Sequence, residues 1–257
     1  MVEKEWKSGI TGHFEGIPHI RGYKLPEMLK KLNFTQAIFL VLKGELPNEK
    51  KEAMLNAILV ASIDHGVEAP STTVARITAS CGVPLSTAVA NGVSAIGESH
   101  GGAIEACAKI LQEVVKKGAK ASDVVEKARF KSERIPGYGH KIYETDPRTQ
   151  AILEVAEKQG FKGPHIEVAL EIEKELEKAV GKKLCLNIDG ITAAVMGELG
   201  FDPSLGNGFF IISRIAGLVA HVHEERTREK PVRRISEDDV EYDGPKPRDL
   251  KQSSTKK

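Results

Sequence analysis

Apolar residues recur at three- and four-residue intervals through most of the chain, the spacing that lines one face of an α-helix. Two-residue alternation of the kind that marks a half-buried strand is nearly absent, so the pattern predicts an almost entirely helical protein. A short, heavily apolar helix is expected over 35–47 (TQAIFLVLKGELP), stopped by Gly44 and Pro47. Asn48 then reads as the cap of a second helix running to Gly66, with Met54, Leu55, Ile58, Leu59 and Ile63 along its buried side. Two segments rich in Ala, Ser and Gly follow, PSTTVARITASCG (70–82) and PLSTAVANGVSAIGESHGG (84–102). Helices with such small side chains can approach closely, either in a packed interior or across a symmetric subunit contact.

The pattern changes after residue 103. Four more highly charged amphipathic helices, separated by glycines, are expected up to residue 183. In the last of them Val168, Ile172, Leu176 and Ala179 form an apolar stripe while Glu and Lys face water. The apolar pattern resumes at LCLNIDGITAAVMGELG (184–200) and GNGFFIISRIAGLVAHVHEE (206–225). Core-like sequence at both ends, with a polar helical insert between, predicts a large domain from 1–103 and 186–257. A small domain over 104–185 would then close on a ligand cleft. There is no internal repeat, and the polar, basic KQSSTKK at the end is expected to be a disordered tail.

Composition narrows the partners. A net charge of +1 gives no electrostatic reason to expect nucleic acid or an anionic membrane, and 5% aromatic content argues against stacking platforms for single strands. No apolar run follows MVEKEWKSG and no uninterrupted stretch reads as membrane-spanning, so neither secretion nor insertion is expected. Cys81, Cys107 and Cys185 are odd in number, widely spaced and set among apolar or small neighbours. They read as buried thiols of a reducing cytoplasm, with neither disulfides nor a metal site expected.

Several polar residues stand out against this background. His100 in GESHGG and His140 in IPGYGHKIY are bracketed by glycines, which allow sharp turns and close approach of backbone to a ligand. His65 sits at the carboxyl end of a predicted helix, whereas His221 and His223, two apart on a helix, diverge and read as structural or interface residues. Asp189 precedes Gly190 where a helix should begin. It is either a cap or a carboxylate in a dry pocket whose pKa would rise enough to move a proton near neutrality. Arg148 opens a helix, and Arg214 lies inside an apolar one, where a guanidinium that cannot shed its charge must find an anion. Two such arginines with histidines describe a pocket for a di- or tricarboxylate.

In order and spacing, the segments HIRGYKLPEML, IDHGVEAPSTTVAR, AIGESHGGAIEACAKIL, IPGYGHKIYETDPR, LNIDGITAAVMGELG and IISRIAGLVAHVHEE resemble the citrate synthase superfamily. The resemblance is strongest to citryl-CoA lyase and to the citryl-CoA lyase module in the carboxyl-terminal part of ATP-citrate lyase. It implies a mainly α, multi-helical large domain with a smaller helical domain, in a homodimer. By resemblance His100 holds the thioester carbonyl oxygen, His140 meets the oxaloacetate-derived oxygen and takes the hydroxyl proton in cleavage, and Asp189 moves the methyl proton. His65, Arg148 and Arg214 match carboxylate-holding positions. An arginine reaching into the partner's site matches Arg234, with Arg233 as the alternative.

Lys141 stands where the family commonly has arginine, keeping the charge but losing the fork that would grip coenzyme A phosphates. No permanently bound cofactor or metal is implied, since the coenzyme A thioester is itself the electron sink. The chain is shorter than ordinary citrate synthases, which favours a stand-alone cytoplasmic lyase supplied by a separate citryl-CoA synthetase. The alternatives are a citrate or 2-methylcitrate synthase, and a non-catalytic acyl-CoA-binding subunit of a larger ligase.

Overall fold

The computed structural model describes residues 6–249, so the KQSSTKK tail and the first five residues lie outside the described residues. Among those described, the chain forms a small antiparallel meander followed by eleven α-helices. The meander is β1 (Thr11–Phe14), β2 (Ile17–Ile20) and β3 (Tyr23–Lys24), paired in sequence order with Thr11 opposite Ile20 and Ile20 opposite Tyr23.

This sheet departs from the all-helical expectation. Its strands are too short to show alternation, and the usable signal lies in the turns. Glu15-Gly16 and Arg21-Gly22 both take positive φ at both positions, the two-residue geometry whose twist matches a hairpin. Arg21 then fastens the meander to the helices by donating from Nε and Nη2 to the Val41 carbonyl at 3.0 and 2.8 Å.

The helices are α1 (Leu25–Lys31), α2 (Phe34–Lys43), α3 (Glu49–Ala61), α4 (Pro70–Ser80), α5 (Leu85–Ser94) and α6 (Ala103–Lys117). They continue with α7 (Ala121–Lys131), α8 (Pro147–Lys158), α9 (Pro164–Val180), α10 (Ile188–Glu198) and α11 (Gly206–Arg228). Local chemistry accounts for many of the ends. Asn33 and Gln36 form a reciprocal capping box on α2, Gly44 closes that helix in the left-handed conformation, and Asn48 accepts the Lys51 N–H to start α3.

The structure departs from the local signal in three places. The α3 helix stops at Ala61, five residues before Gly66, because α11 captures the next segment: Arg214 Nε donates to the Ser62 carbonyl at 3.1 Å. Ile63, expected on the buried side, is instead exposed. The α5 helix stops at Ser94, leaving 95–102 as a loop closed by reciprocal backbone bonds between Gly97 and His100 at 3.0 and 2.8 Å. Cys107 and Cys185 are buried as expected, but Cys81 caps α4 at the surface and is exposed.

The main core is continuous across residue 103. Phe39, Met54 and Ile58 pack with Ile104, Leu111, Ile152 and Ile172 and with the buried α10 residues Ile191, Val195 and Met196. A second cluster joins α4, α5 and α11 through Ala75, Ala79, Ala88, Leu218 and Val222. Here the small residues let the helix backbones come close, since a Cβ on Gly92 would lie 2.9 Å from both Ala75 Cβ and the Ser71 carbonyl.

Contrary to the sequence expectation, the segment Pro203–Arg228 is long and apolar enough to cross a membrane by length and composition. In the fold it is a core helix: Phe209 and Phe210 enter the main core, Leu218 and Val222 the second, and Arg214 and Glu225 are buried along it.

Gly92→Val should force α4 and α5 apart and cost about 2 kcal/mol, the usual scale for overpacking a tight contact. Chemical denaturation of the two proteins measures it, and an unchanged midpoint would contradict the close approach.

Candidate active site

Three loops and one helix build the site: the 62–69 connection with His65, the 95–102 loop with His100, the 132–146 segment with His140, and the start of α10 with Asp189. Most are tied to α11 or to one another. Gly101, at φ +74, lets the 95–102 loop lie against α11, where a Cβ would come within 2.5 Å of the Phe210 ring. The 132–146 segment is stitched to 185–187: Gly139 N–H donates to the Cys185 carbonyl at 2.7 Å, and Asn187 donates to the Gly137 carbonyl from its backbone and to the Gly139 carbonyl from its side chain. Gly137 and Gly190 meet backbone to backbone, since a Cβ on Gly190 would fall 2.4 Å from the Gly137 carbonyl oxygen.

His100 is half-buried and held by Ser71, a residue that sequence reasoning missed. Arg214 Nη1 donates to Ser71 Oγ at 3.4 Å, and that hydroxyl lies 2.8 Å from His100 Nε2, to which the Ser71 backbone N–H also donates at 3.4 Å. A guanidinium only donates, so the serine oxygen accepts from it and passes its own proton toward Nε2. The ring proton of His100 is thereby assigned to Nδ1. Burial lowers its pKa, and repulsion from Arg214 and His65 adds to the effect, so the ring is a neutral donor.

His140 has the opposite tautomer. Its Nδ1 accepts the backbone N–H groups of Ile142 and Tyr143 at 3.1 and 3.2 Å, and the ring stacks on Tyr143. The proton is therefore on Nε2, and burial lowers the pKa against the attraction of Asp146, with Arg148 and His65 adding to the lowering. A ring in this state donates to an oxygen. That differs from the proton-accepting role expected in cleavage, because two backbone donors already occupy its only lone pair.

Asp189 is not the helix cap. Asn187 fills that role, its side-chain oxygen accepting the N–H groups of Asp189 and Gly190 at 3.0 and 3.2 Å. The Asp189 carboxylate accepts no hydrogen bond from the other described residues, and burial pushes its pKa up to about 6, against the pull of Arg148 and Arg214.

Its neighbour Asp146 shows the reverse, as a fully buried carboxylate saturated with donors. Arg148 supplies its backbone N–H, Nε and Nη2 at 3.0, 2.9 and 2.8 Å, and Ile188 its N–H at 3.0 Å. Burial alone would raise the Asp146 pKa, but these bonds bring it below the usual range. Asp146 was legible as the polar residue before Pro147 at a helix start; its grip on Arg148 was not. One edge of the Arg148 fork is thus spent, and Nη1 and the rest of Nη2 remain for a ligand.

Arg214 is 3% exposed and has no carboxylate within ion-pair distance among the described residues. It donates to Ser62 O and Ser71 Oγ and stacks over Phe210 at 4.6 Å, so a full positive charge is buried against neutral partners. That is the anion-seeking arrangement anticipated for it.

His100, His140, Asp189, His65, Arg148 and Arg214 thus lie within one another's electrostatic reach, with exposed His65 acting on both other histidines. Two candidates are exposed and are not among the groups that shift these pKa values. Lys141 is exposed, and so is Arg234, whereas Arg233 is committed to Glu225 by a two-point bond at 2.8 and 2.8 Å. An apolar cavity of about 640 Å³ lined by Ile110, Val114, Val124 and Ile135 contains none of these residues.

The chain with this helical fold and these gathered polar groups matches one family model. The pattern described as "Citrate synthase, C-terminal domain" matches residues 48–235, and the chain belongs to the citrate synthase family. It is similar to the solved citryl-CoA lyase of Hydrogenobacter thermophilus, at 47% identity and a TM-score of 0.93, over 97% of this chain and 98% of that one. The glyoxysomal citrate synthase of Cucurbita maxima is 33% identical over 69% of this chain, which spans 36% of that protein. The Haloferax volcanii citrate synthase is 30% identical over 80% of this chain and 55% of its own length. The chain thus spans well under two thirds of these curated relatives.

An ionised Asp189 works against folding. Its folded pKa is about 6, above the ordinary 3.8, so the stability lost to ionisation accumulates as pH rises from the lower value to the higher and is constant beyond. Asp189→Asn should therefore stabilise the protein by up to about 3 kcal/mol at pH 7.5, with the gain vanishing near pH 4. Melting curves at the two pH values test this, and equal melting temperatures at pH 7.5 would argue against a desolvated carboxylate.

Proposed function

We propose that this protein is a citryl-CoA lyase that cleaves citryl-CoA to acetyl-CoA and oxaloacetate. The observation that carries the reading is coextensive similarity at high identity: the Hydrogenobacter thermophilus citryl-CoA lyase matches along nearly all of both chains at 47% identity, whereas the Cucurbita maxima and Haloferax volcanii synthases are 33% and 30% identical and matched over 36% and 55% of their length. Citrate or 2-methylcitrate synthesis is the second reading, favoured by the synthase relatives at 30–33% identity.

The chemistry follows from the site. Arg214, Arg148 and His65 hold the substrate carboxylates. His140 donates from Nε2 to the oxygen on the central carbon, acidifying the hydroxyl and stabilising the alkoxide as it becomes the keto group; the hydroxyl proton passes to solvent water, which later returns a proton to Asp189. The carbon–carbon bonding pair then passes into the thioester, whose oxygen gains charge and is met by Nδ1–H of His100, a donor fixed in place before the charge develops. Protonated Asp189 delivers its proton to the terminal carbon, giving the methyl of acetyl-CoA. With a pKa of about 6 it carries that proton in a useful fraction of molecules near neutrality, as an ordinary carboxyl does not. Lys141 stands by the coenzyme A phosphates, and no permanently bound cofactor takes part in these steps.

The assembly is proposed as a cytoplasmic homodimer, with residues 104–185 closing over the cleft and a separate synthetase supplying citryl-CoA. Ile77, Leu85, Ile215 and Val219 leave an apolar face partly open on α4, α5 and α11, suited to a second copy. Arg234, free of the Glu225 clamp that holds Arg233, is the arginine offered to the partner's site.

Incubation of the pure protein with citryl-CoA should yield oxaloacetate and acetyl-CoA by mass spectrometry. Acetyl-CoA with oxaloacetate should yield negligible citrate. His100→Ala and Asp189→Ala should each lower cleavage by at least about a hundredfold while leaving the oligomer intact, the scale expected for loss of an oxyanion donor or a proton-transfer group. Abundant citrate from the second incubation would select the synthase reading. Mixing inactive Arg234→Ala with Asp189→Ala should restore up to about a quarter of wild-type turnover through mixed dimers, because the two lesions then fall in one site and spare the other. Purified mixed dimers without activity would remove Arg234 from the partner's site.

A further inference from the structure

His65 reaches the site from a connection with little packing of its own, and α11 holds that connection at successive turns. Ser213 Oγ donates to the Leu59 carbonyl in the last turn of α3, Arg214 Nε donates to the Ser62 carbonyl, and Gly217 leaves room for Ile63, whose carbonyl would lie 2.4 Å from a Cβ there. One turn further, His221 Nε2 lies 3.0 Å from Asp64 Oδ1, while Asp64 Oδ2 accepts the Gly66 N–H at 3.0 Å. Asp64 therefore brackets His65, tied on one side to α11 and on the other to the residue following the histidine.

The roles in this chain of bonds are fixed from its far end. Arg76 is buried and anchored to fully buried Glu225 through Nε at 2.8 Å, and its Nη1 lies 3.4 Å from His221 Nδ1. A guanidinium can only donate, so His221 Nδ1 accepts and its proton is on Nε2, directed at Asp64. The series runs from Glu225 through Arg76, His221 and Asp64 to the backbone that carries His65.

We propose that His221 and Asp64 are positioning residues that hold His65 in register for the substrate carboxylate. This rests on the reading of His65 as a carboxylate-binding group. His221 touches no substrate, and its effect passes entirely through the Asp64 bond.

The test is steady-state cleavage of citryl-CoA by His221→Leu, His221→Gln, Asp64→Asn, His65→Ala and the His65→Ala/His221→Leu double variant. H221L should raise KM about tenfold with kcat within about threefold, the pattern of lost ground-state binding. H221Q, which keeps a donor toward Asp64, should recover most of that loss. In the H65A background the leucine substitution should add less than about twofold, because the two residues act as one unit. D64N retains the volume and gives up an acceptor, and it should raise KM whether or not H221L folds. A raised KM in H65A beside an unchanged KM in H221L and D64N overturns this proposal alone. An unchanged KM in H65A overturns the reading of His65 and the proposal with it. Losses in H221L and H65A that multiply, or a loss in H221L that H221Q does not relieve, would show a structural role independent of His65 and also overturn it.

Discussion

A guanidinium buried without a carboxylate governs the arrangement of this site. Arg214 lies on the longest described helix, cannot lose its charge and, among the described residues, is satisfied by the Ser62 carbonyl, the Ser71 hydroxyl and the face of Phe210. Each partner belongs to a different part of the site: Ser62 opens the connection to His65, Ser71 holds the His100 ring, and Phe210 supports the glycine turn beneath it. One unmet positive charge therefore both attracts an anion and sets the positions of the groups that would work on it. Placing that charge on a rigid core helix, with His65 and His100 on loops tied to it, keeps those groups within the small tolerances that catalysis needs.

The electrostatics divide paired groups into unequal roles. Asp146 and Asp189 are neighbouring carboxylates, yet four donors hold the first ionised while the second, given no bond by the described residues, rises to about 6. The two histidines are both neutral but present opposite nitrogens, because Ser71 occupies one edge of His100 and a tight backbone turn occupies the other edge of His140. A difference in hydrogen-bond environment separates residues of identical type into donor, acid and anchor. The undischarged costs, a desolvated carboxylate and an unpaired arginine, are confined to the place where a ligand would relieve them.

Much of the fold was legible from periodicity and from the residues at helix ends. Asn48 and Gly44 sit where side-chain caps and left-handed glycines belong, and α6 through α9 follow their apolar stripes closely. The meander escaped because four-residue strands carry too few positions for alternation to register. The end of α3 escaped because nothing local stops it, only capture of the Ser62 carbonyl by α11. Asp189 looked like a cap because its position suits one, and the preceding Asn187 fills that role.

By itself, the sequence determined the helical character, the glycine-bracketed histidines and the anomaly of Arg214, since each depends on neighbours within a few residues or on the cost of burying a given side chain. Only the tertiary structure decided the histidine tautomers, the opposite shifts of two aspartates, the place of Ser71 and the tie from His221 to Asp64. Those properties depend on which donors and acceptors meet across as many as 157 residues of chain, and proximity at that separation is created by packing.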